Sequence, residues 1–412
     1  MKTGEYEAPH PYYYTKPSTH EPPLYSVLLY FMNFIARSDI LIHFIHIVLL
    51  FISAILLFKI LKQFLNKEIA KIISIFYLFI PSHFTYISAL MTEIFSIFTV
   101  SLYLFIAYLV IKGQKKFLLK YLVIISAVMV LLKYGFIIFF FAALLLFIIS
   151  KKKNITDFVA VGIGVAIICL WILVNHAING SWGLSSSTGK HIYNRVVDFD
   201  HLLPEEKNES LKKLRIYTEG KDIFQPWWIL EHRILTNMKG DEVDVSKLLG
   251  EVAITAIKKN PLFYIFNTPK WFIVLHSADP THSFYIKNID LTCRSLGTIH
   301  FCKPIISSEA SLYLWDKMVS ITDKYSRYVV KYFHFLLLFP AIIFAFITKD
   351  SFMRFSGTVY FLSTLTAVMT ELPAARYLYS YIPIMLILVS FMLKNIVDLV
   401  VLSKKKGSKP EI

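Results

Sequence analysis

Long apolar runs alternate along the chain with short polar breaks, most of them lysine-bearing. A helix needs roughly 20 apolar residues to cross a hydrocarbon core. Nine runs approach that length: 40–61, 69–87, 90–111, 117–132, 134–150, 157–176, 328–348, 354–371 and 377–401. Two further apolar stretches read instead as helices lying on the membrane surface: Leu24–Ala36, which follows Pro22 and Pro23, and 261–276, which Pro269 interrupts. The pattern predicts an all-α polytopic membrane protein in four parts. A surface segment (1–37) precedes a bundle of six spans (38–176). A polar region of mainly helical character (177–327) then leads to three more spans and a basic tail (328–412).

Composition agrees. Of 412 residues 56% are hydrophobic and 17% charged, against about 25% charged in soluble domains. That excludes a soluble enzyme, a disordered tail and a fibrous protein. The net charge of +15 would suggest nucleic acid in a soluble protein. Here the basic residues sit between apolar runs, where the positive-inside rule accounts for them and no nucleic-acid partner is expected. Lys59, Lys62, Lys67 and Lys71 occupy the first connection, and Lys112, Lys115, Lys116 and Lys120 the third. Lys151–Lys153 form the fifth, Lys349 and Arg354 follow the seventh span, and Lys404–Lys406 lie in the tail. These read as cytoplasmic, so the alternate short loops and the region 177–327 face outward. With nine spans and a cytoplasmic C-terminus, the polar, proline-rich first 23 residues fall outside. The simpler expectation is that a first transmembrane helix precedes this sequence. Cys169 lies in an apolar run; Cys293 and Cys302 lie close together in the polar region and could form one bridge if that region faces an oxidising compartment.

Four stretches carry a family likeness. THEPPLYSVLLYF (19–31) is similar to the start of a surface helix closing a first outer loop. SALMTEIFSIFTVSLYLF (88–105) is similar to a span that opens on an acidic residue. LLKYGFIIF (131–139) has an L-x-K-G-like turn, and AARYLYSYIPIMLIL (374–388) an R-Y-x-x-x-x-P-like final span. In this order they resemble the GT-C superfamily of membrane glycosyltransferases, in particular the branch with protein O-mannosyltransferases and the lipid A aminoarabinose transferase. GSWGLSSSTGKHIYNR (180–195) and EVAITAIKKNPLFYI (251–265) also resemble outer-loop sequence of bacterial members. The resemblance implies a GT-C-like bundle of about nine spans that moves a sugar from a polyprenyl-phosphate carrier to a lipid, glycan or protein acceptor. The family's catalytic base is an aspartate just after the first span. Here no aspartate precedes Asp39, so that position would fall upstream of Met1, and this chain could be inactive as it stands.

Such a transfer needs a base, an electrophilic anomeric carbon and cations for the departing phosphate. Glu93, opening the third span, is the candidate catalytic acid residue, orienting the acceptor or binding a divalent metal; the competing reading is a carboxylate favoured by its helix N-terminus. Arg376 could grip the donor phosphate bidentately, or serve as an interfacial anchor paired with Glu371. Its neighbour Tyr377 joins the substrate-site candidates, and Tyr377, Tyr379 and Tyr381 also fit an aromatic belt. Lys133 contacts the donor phosphate or snorkels to the interface. His20 and Glu21, pinned by Pro22 and Pro23, and His83 in the second outer loop complete the substrate-binding set; the first two also fit a plain polar turn. Trp182, Lys190, Tyr193 and Arg195 follow a Gly/Ser-rich stretch and read as a flexible flap over lipid or acceptor. Trp227 and Trp228 read as core or interface anchors, and the lysine runs as topology signals in contact with membrane lipids.

A transporter or flippase would show repeated or Gly/Pro-broken spans in matching halves, and none is visible. Two more functions compete: a non-catalytic scaffold, and a polysaccharide ligase or polymerase, which these motifs fit less well. The form of the motifs points to a bacterial inner membrane, with the endoplasmic reticulum giving the same topology.

Overall fold

The computed structural model describes residues 22–36, 39–88, 91–150, 153–238, 240–277, 331–370 and 376–407. His20, Glu21, Cys293 and Cys302 lie outside the described residues. All secondary structure among the described residues is helical. Four helices have the length and apolar content to cross a membrane: Ile40–Leu61, Glu93–Ile111, Ile155–Asn179 and Ile382–Ser403. Shorter apolar helices occupy Pro23–Met32, Tyr134–Ile149 and Phe333–Ile347. The chain is an all-α polytopic membrane protein, as its hydrophobic pattern predicts.

In chain order the first helices are α1 (Pro23–Ala36), α2 (Asp39–Leu61), α3 (Lys67–Leu78), α4 (Pro81–Ser88), α5 (Glu93–Ile111), α6 (Leu119–Val130), α7 (Ile137–Ile149) and α8 (Ile155–Asn179). After the cap described below come α14 (Phe339–Ile347), α15 (Ser351–Thr370), α16 (Arg376–Tyr379) and α17 (Ile382–Gly407). Their ends carry local signals. Asn66 caps α3 by accepting from the Glu68 amide. Asn154 and Asp157 form a capping box at α8, and Gly180 closes that helix in the left-handed region at φ +65°. Apolar faces of the long helices stay exposed, as at Phe44, Phe51, Phe158, Leu170 and Val397; a bilayer is the solvent that suits them.

Three breaks shape one end of this bundle. The predicted span 69–87 is two helices, because Pro81 has no N–H to continue α3 and starts α4 instead. The crook this leaves holds His83. The α6–α7 hairpin unwinds at Lys133, whose backbone is extended at φ −155°, ψ 119°, before a 3₁₀ turn at Tyr134–Phe136. The short α16 precedes α17, so Tyr377, Tyr379 and Ser380 sit on a turn rather than inside a long helix. The amide of Leu24 donates to Leu131 O at 2.9 Å, which ties α1 to the Lys133 turn. At the opposite end of α5, Lys112 meets Asp350 at 2.6 Å.

Between the two parts of the bundle, α9 (Thr188–Tyr193), a π-helical turn (Asn194–Phe199), α10 (Glu209–Tyr217), α11 (Trp227–Asn237), α12 (Glu242–Lys259) and α13 (Pro261–Ser277) enclose a second hydrophobic core. Its centre includes Tyr193, Val197, Leu214, Leu230, Leu249 and Val252. This cap rests on the end of α15, where Arg195 Nε donates to Val368 O at 2.9 Å and the Tyr264 hydroxyl donates to Met369 O.

Candidate functional site

The breaks in α3–α4, α6–α7 and α16–α17 converge beside the first turn of α5, where Glu93 and Lys133 meet. Glu93 is 2% exposed. Its Oε1 lies 3.6 Å from Lys133 Nζ, and its Oε2 is buried with no hydrogen-bond partner among the described residues. Lys133 also donates to Ser380 Oγ at 3.2 Å and stands 5.9 Å from the centroid of the Tyr377 ring. Its side chain keeps 19% exposure, against 2% for Glu93. At 3.6 Å the ion pair lacks the short contact of a charge-assisted hydrogen bond.

His83 sits on the other side of the same turn. It is fully buried, its Nδ1 is 2.5 Å from the Tyr379 hydroxyl, and its Nε2 has no partner among the described residues. Tyr77 packs edge-on against the imidazole, and Tyr86 lies against Tyr379 at 4.2 Å between centroids. The structure therefore brings Glu93, Lys133, Tyr377 and His83 together. Arg376 opens α16 in this neighbourhood by its backbone, and its side chain lies outside the described residues, as do His20 and Glu21.

Four residues join the site that sequence reasoning did not select. Ser380 and Tyr379 belong to a motif read chiefly as an interfacial belt, yet both are fully buried and bonded inward. His43 and His46 on α2 both donate from Nδ1 to the carbonyl of Ile87, at 2.8 and 3.1 Å. Their signal was present in DILIHFIHIVLL, two imidazoles three residues apart in an otherwise apolar run. His46 is fully buried against the rings of Tyr25 and Phe95.

The expected flap is different. Lys190, Tyr193 and Arg195 are all buried inside the cap. Lys190 pairs with Glu231, lies 3.4 Å from Glu242 and covers the Trp227 ring at 4.9 Å. Burial drives the Glu242 carboxyl up to about 7 in spite of that lysine. Arg195 pairs with Asp200, whose other oxygen accepts from Asn267 and from Trp271 Nε1. Trp182 alone of this group is exposed, stacked on His176 at 3.8 Å. No group of three or more His, Cys, Asp or Glu side chains among the described residues could hold a metal ion.

Residues 20–178 match the family model of dolichyl-phosphate-mannose-protein mannosyltransferases. The GT-C resemblance holds over that region. Comparison with curated proteins and with solved structures gives no match. The mannosyltransferase match contains His43, His46, His83, Glu93 and Lys133, so the cluster built above falls within the matched segment, with α16 contributed from beyond it. It supports a polyprenyl-phosphate-sugar-dependent membrane glycosyltransferase in general terms.

Proposed function

We propose that this protein transfers a sugar from a polyprenyl-phosphate carrier to a hydroxyl-bearing lipid, glycan or protein acceptor, at the membrane face that carries Glu93. The observation behind this reading is the Glu93–Lys133 pair, whose buried carboxylate keeps one oxygen without a partner among the described residues and whose lysine is loosely held on a partly exposed side chain. A carrier phosphate arriving at the rim can take Lys133 from Glu93, assisted by Arg376 at the start of α16. In a water-poor setting that cation offsets the charge that grows on the phosphate as the C1–O bond lengthens. The released Glu93 carboxylate then accepts a hydrogen bond from the acceptor and orients it. Tyr377 and Ser380 hold Lys133 at the rim, and the His83–Tyr379 contact keeps the α4 crook against α16. The described residues hold no group of three or more His, Cys, Asp or Glu side chains suited to a metal ion, and no step is assigned to a divalent ion.

The distribution of loop lysines supports the outer face as the one that carries Glu93, and the membrane is expected to be a bacterial inner membrane. The test uses the full chain in lipid nanodiscs with undecaprenyl-phosphate-linked mannose, glucose and arabinose. Wild-type protein binds and consumes at least one donor, and Lys133→Met weakens donor binding about tenfold or more, the worth of one charge-assisted phosphate contact. A wild-type chain that binds none of the three defeats the reading.

A further inference from the structure

The hydrophobic pattern predicts that 261–276 lies on the membrane surface, and the structure gives α13 a different course. In its first turn the Tyr264 hydroxyl donates to Met369 O, at the end of α15. In its last turn His276 Nε2 accepts from the Tyr360 hydroxyl at 2.8 Å, in the middle of α15. From Tyr264 to His276 the helix rises about 18 Å, and from Met369 to Tyr360 about 13 Å. α13 therefore runs down beside α15, not across its end. Two ring pairs set the depth. Tyr108 meets Phe352 and Tyr103 meets Phe355, at 5.1 and 6.2 Å between centroids, so α15 lies antiparallel to α5, which has the length and apolar content of a span. Tyr360 falls about 7 Å beyond Phe355, still within the length of α5. His276 thus sits at membrane depth, and its polar atoms suit that place. The residue is fully buried, its Nδ1 donates to Phe272 O at 2.8 Å, and its carbonyl accepts from His334 Nδ1 at 2.7 Å. A hydrocarbon setting demands such internal pairing.

One turn earlier, Asn267 and Trp271 both donate to Asp200, whose partner Arg195 donates to Val368 O. That puts Lys270 level with the end of α15, where its ammonium lies 4.8 Å from the centroid of the Trp271 ring. The opposite flank of α13 is apolar and exposed along one stripe, Leu262, Phe266 and Ile273. We propose that α13 is a leg of the cap that enters the bilayer beside α15, with Phe266 and Ile273 against phospholipid acyl chains and Lys270 at the headgroup phosphates. Continuity argues for lipid as the occupant: the stripe descends to the depth at which the exposed apolar faces of α2 and α8 also need a hydrocarbon solvent. A lysine whose stem follows a ring at that boundary is placed to snorkel. The proposal stands apart from sugar transfer and holds or fails without it.

The test uses the full chain in nanodiscs of phosphatidylcholine and phosphatidylglycerol, with Cys169, Cys293 and Cys302 changed to Ser. Spin labels are placed singly at Leu262→Cys, Phe266→Cys and Ile273→Cys. Leu170→Cys, exposed on α8, gives the lipid reference, and Lys207→Cys, exposed in the cap, the aqueous one. Collision with oxygen should rise, and collision with a water-soluble nickel chelate should fall, from Leu262 to Phe266 to Ile273. Ile273 should read about 10 Å or more deeper than Leu262, because about 16 Å of helix separates them. Equal depth at the three positions describes a helix lying flat and overturns the leg. Labels that meet nickel as Lys207 does describe a water-facing helix and overturn it too. So do labels shielded from both agents, the mark of a face covered by a second copy or by another part of this chain. Footprinting of the unsubstituted chain checks the same point: a lipid-soluble diazirine should label the tryptic peptide 260–270 and the one that begins at Trp271 more than a water-soluble diazirine does. The reverse order overturns the proposal.

Discussion

Two buried charge clusters in this molecule are built on opposite terms. In the cap, Arg195 and Asp200 are fully enclosed and almost fully occupied. Asp200 accepts from Arg195, Asn267 and Trp271, while Arg195 also donates to Val368 O and lies over the Tyr264 and Trp271 rings. At the rim of α5, Glu93 has one oxygen 3.6 Å from Lys133 and the other without a partner among the described residues, and Lys133 divides itself between Glu93, Ser380 and an aromatic face. A buried ion pair is worth its desolvation only when its remaining hydrogen-bonding capacity is met. The first cluster comes near that condition, with only Arg195 Nη2 of the pair left without a partner among the described residues, and it acts as a joint between cap and bundle. The second does not, and capacity left open at a rim is capacity for a substrate.

If that contrast is right, the two clusters respond oppositely to being broken. Glu93→Gln removes a charge that the substrate uses, and sugar transfer should fall about 100- to 10,000-fold. The melting temperature should barely move, because a loosely paired carboxylate adds little to stability. Arg195→Leu leaves Asp200 buried without its cation, which should cost about 3–5 kcal/mol. Its signatures are a lowered melting temperature and protease cleavage within 180–277, with a smaller effect on donor binding. A Glu93→Gln protein that unfolds early yet still transfers sugar, or an Arg195→Leu protein that melts as wild type, would remove the distinction.

The sequence made the membrane class legible because a 20-residue apolar run is a strong signal, and it placed Glu93, Lys133, Tyr377 and His83 at one rim from loop charge and motif order. What it hid has physical reasons. His43 and His46 lie inside a run whose apolar neighbours dominate any reading of it. Tyr379 looks like an interfacial tyrosine until the turn after α16 rotates it onto His83. The stretch 180–195 looks flexible from its glycines and serines, yet Gly189 serves close packing. A Cβ there would stand 1.9 Å from Ser246 O, and the Gly189 and Gly250 Cα positions are where α9 and α12 touch. Only tertiary structure shows whether a glycine bends the chain or lets two backbones meet.

That packing gives the next prediction in size. Gly189→Ala drives a methyl into a backbone carbonyl that has no rotamer to yield, so α9 must lift from α12. The expected cost is about 2–3 kcal/mol, read as a fall in melting temperature with donor binding retained. Substitution with unchanged stability would return 180–195 to the flexible flap that its composition suggests.

The smallest effect expected is the one that tests satisfaction most directly, because it lies inside the cap, where a second carboxyl joins an already paired lysine. Lys190 is committed to Glu231, and Glu242 stands 3.4 Å away at second call on the same ammonium. Burial therefore dominates Glu242 and lifts it from the ordinary 4.5 to about 7. The folded state holds that proton more tightly than the unfolded chain does. Below pH 4.5 both states are protonated and nothing is lost. Between 4.5 and 7 the unfolded chain ionises while the folded one does not, so stability falls as pH rises, and above 7 the penalty is constant. Glu242→Gln mimics the protonated form at every pH. It should leave stability at pH 4 unchanged and raise it at pH 8 by about 2 kcal/mol, measured as the difference in melting temperature between variant and wild type across that range. A variant less stable than wild type at pH 8 would mean that Glu242 holds Lys190 as firmly as Glu231 does. The cap would then contain a second closely paired cluster, and the loose pair at the α5 rim would stand out further still.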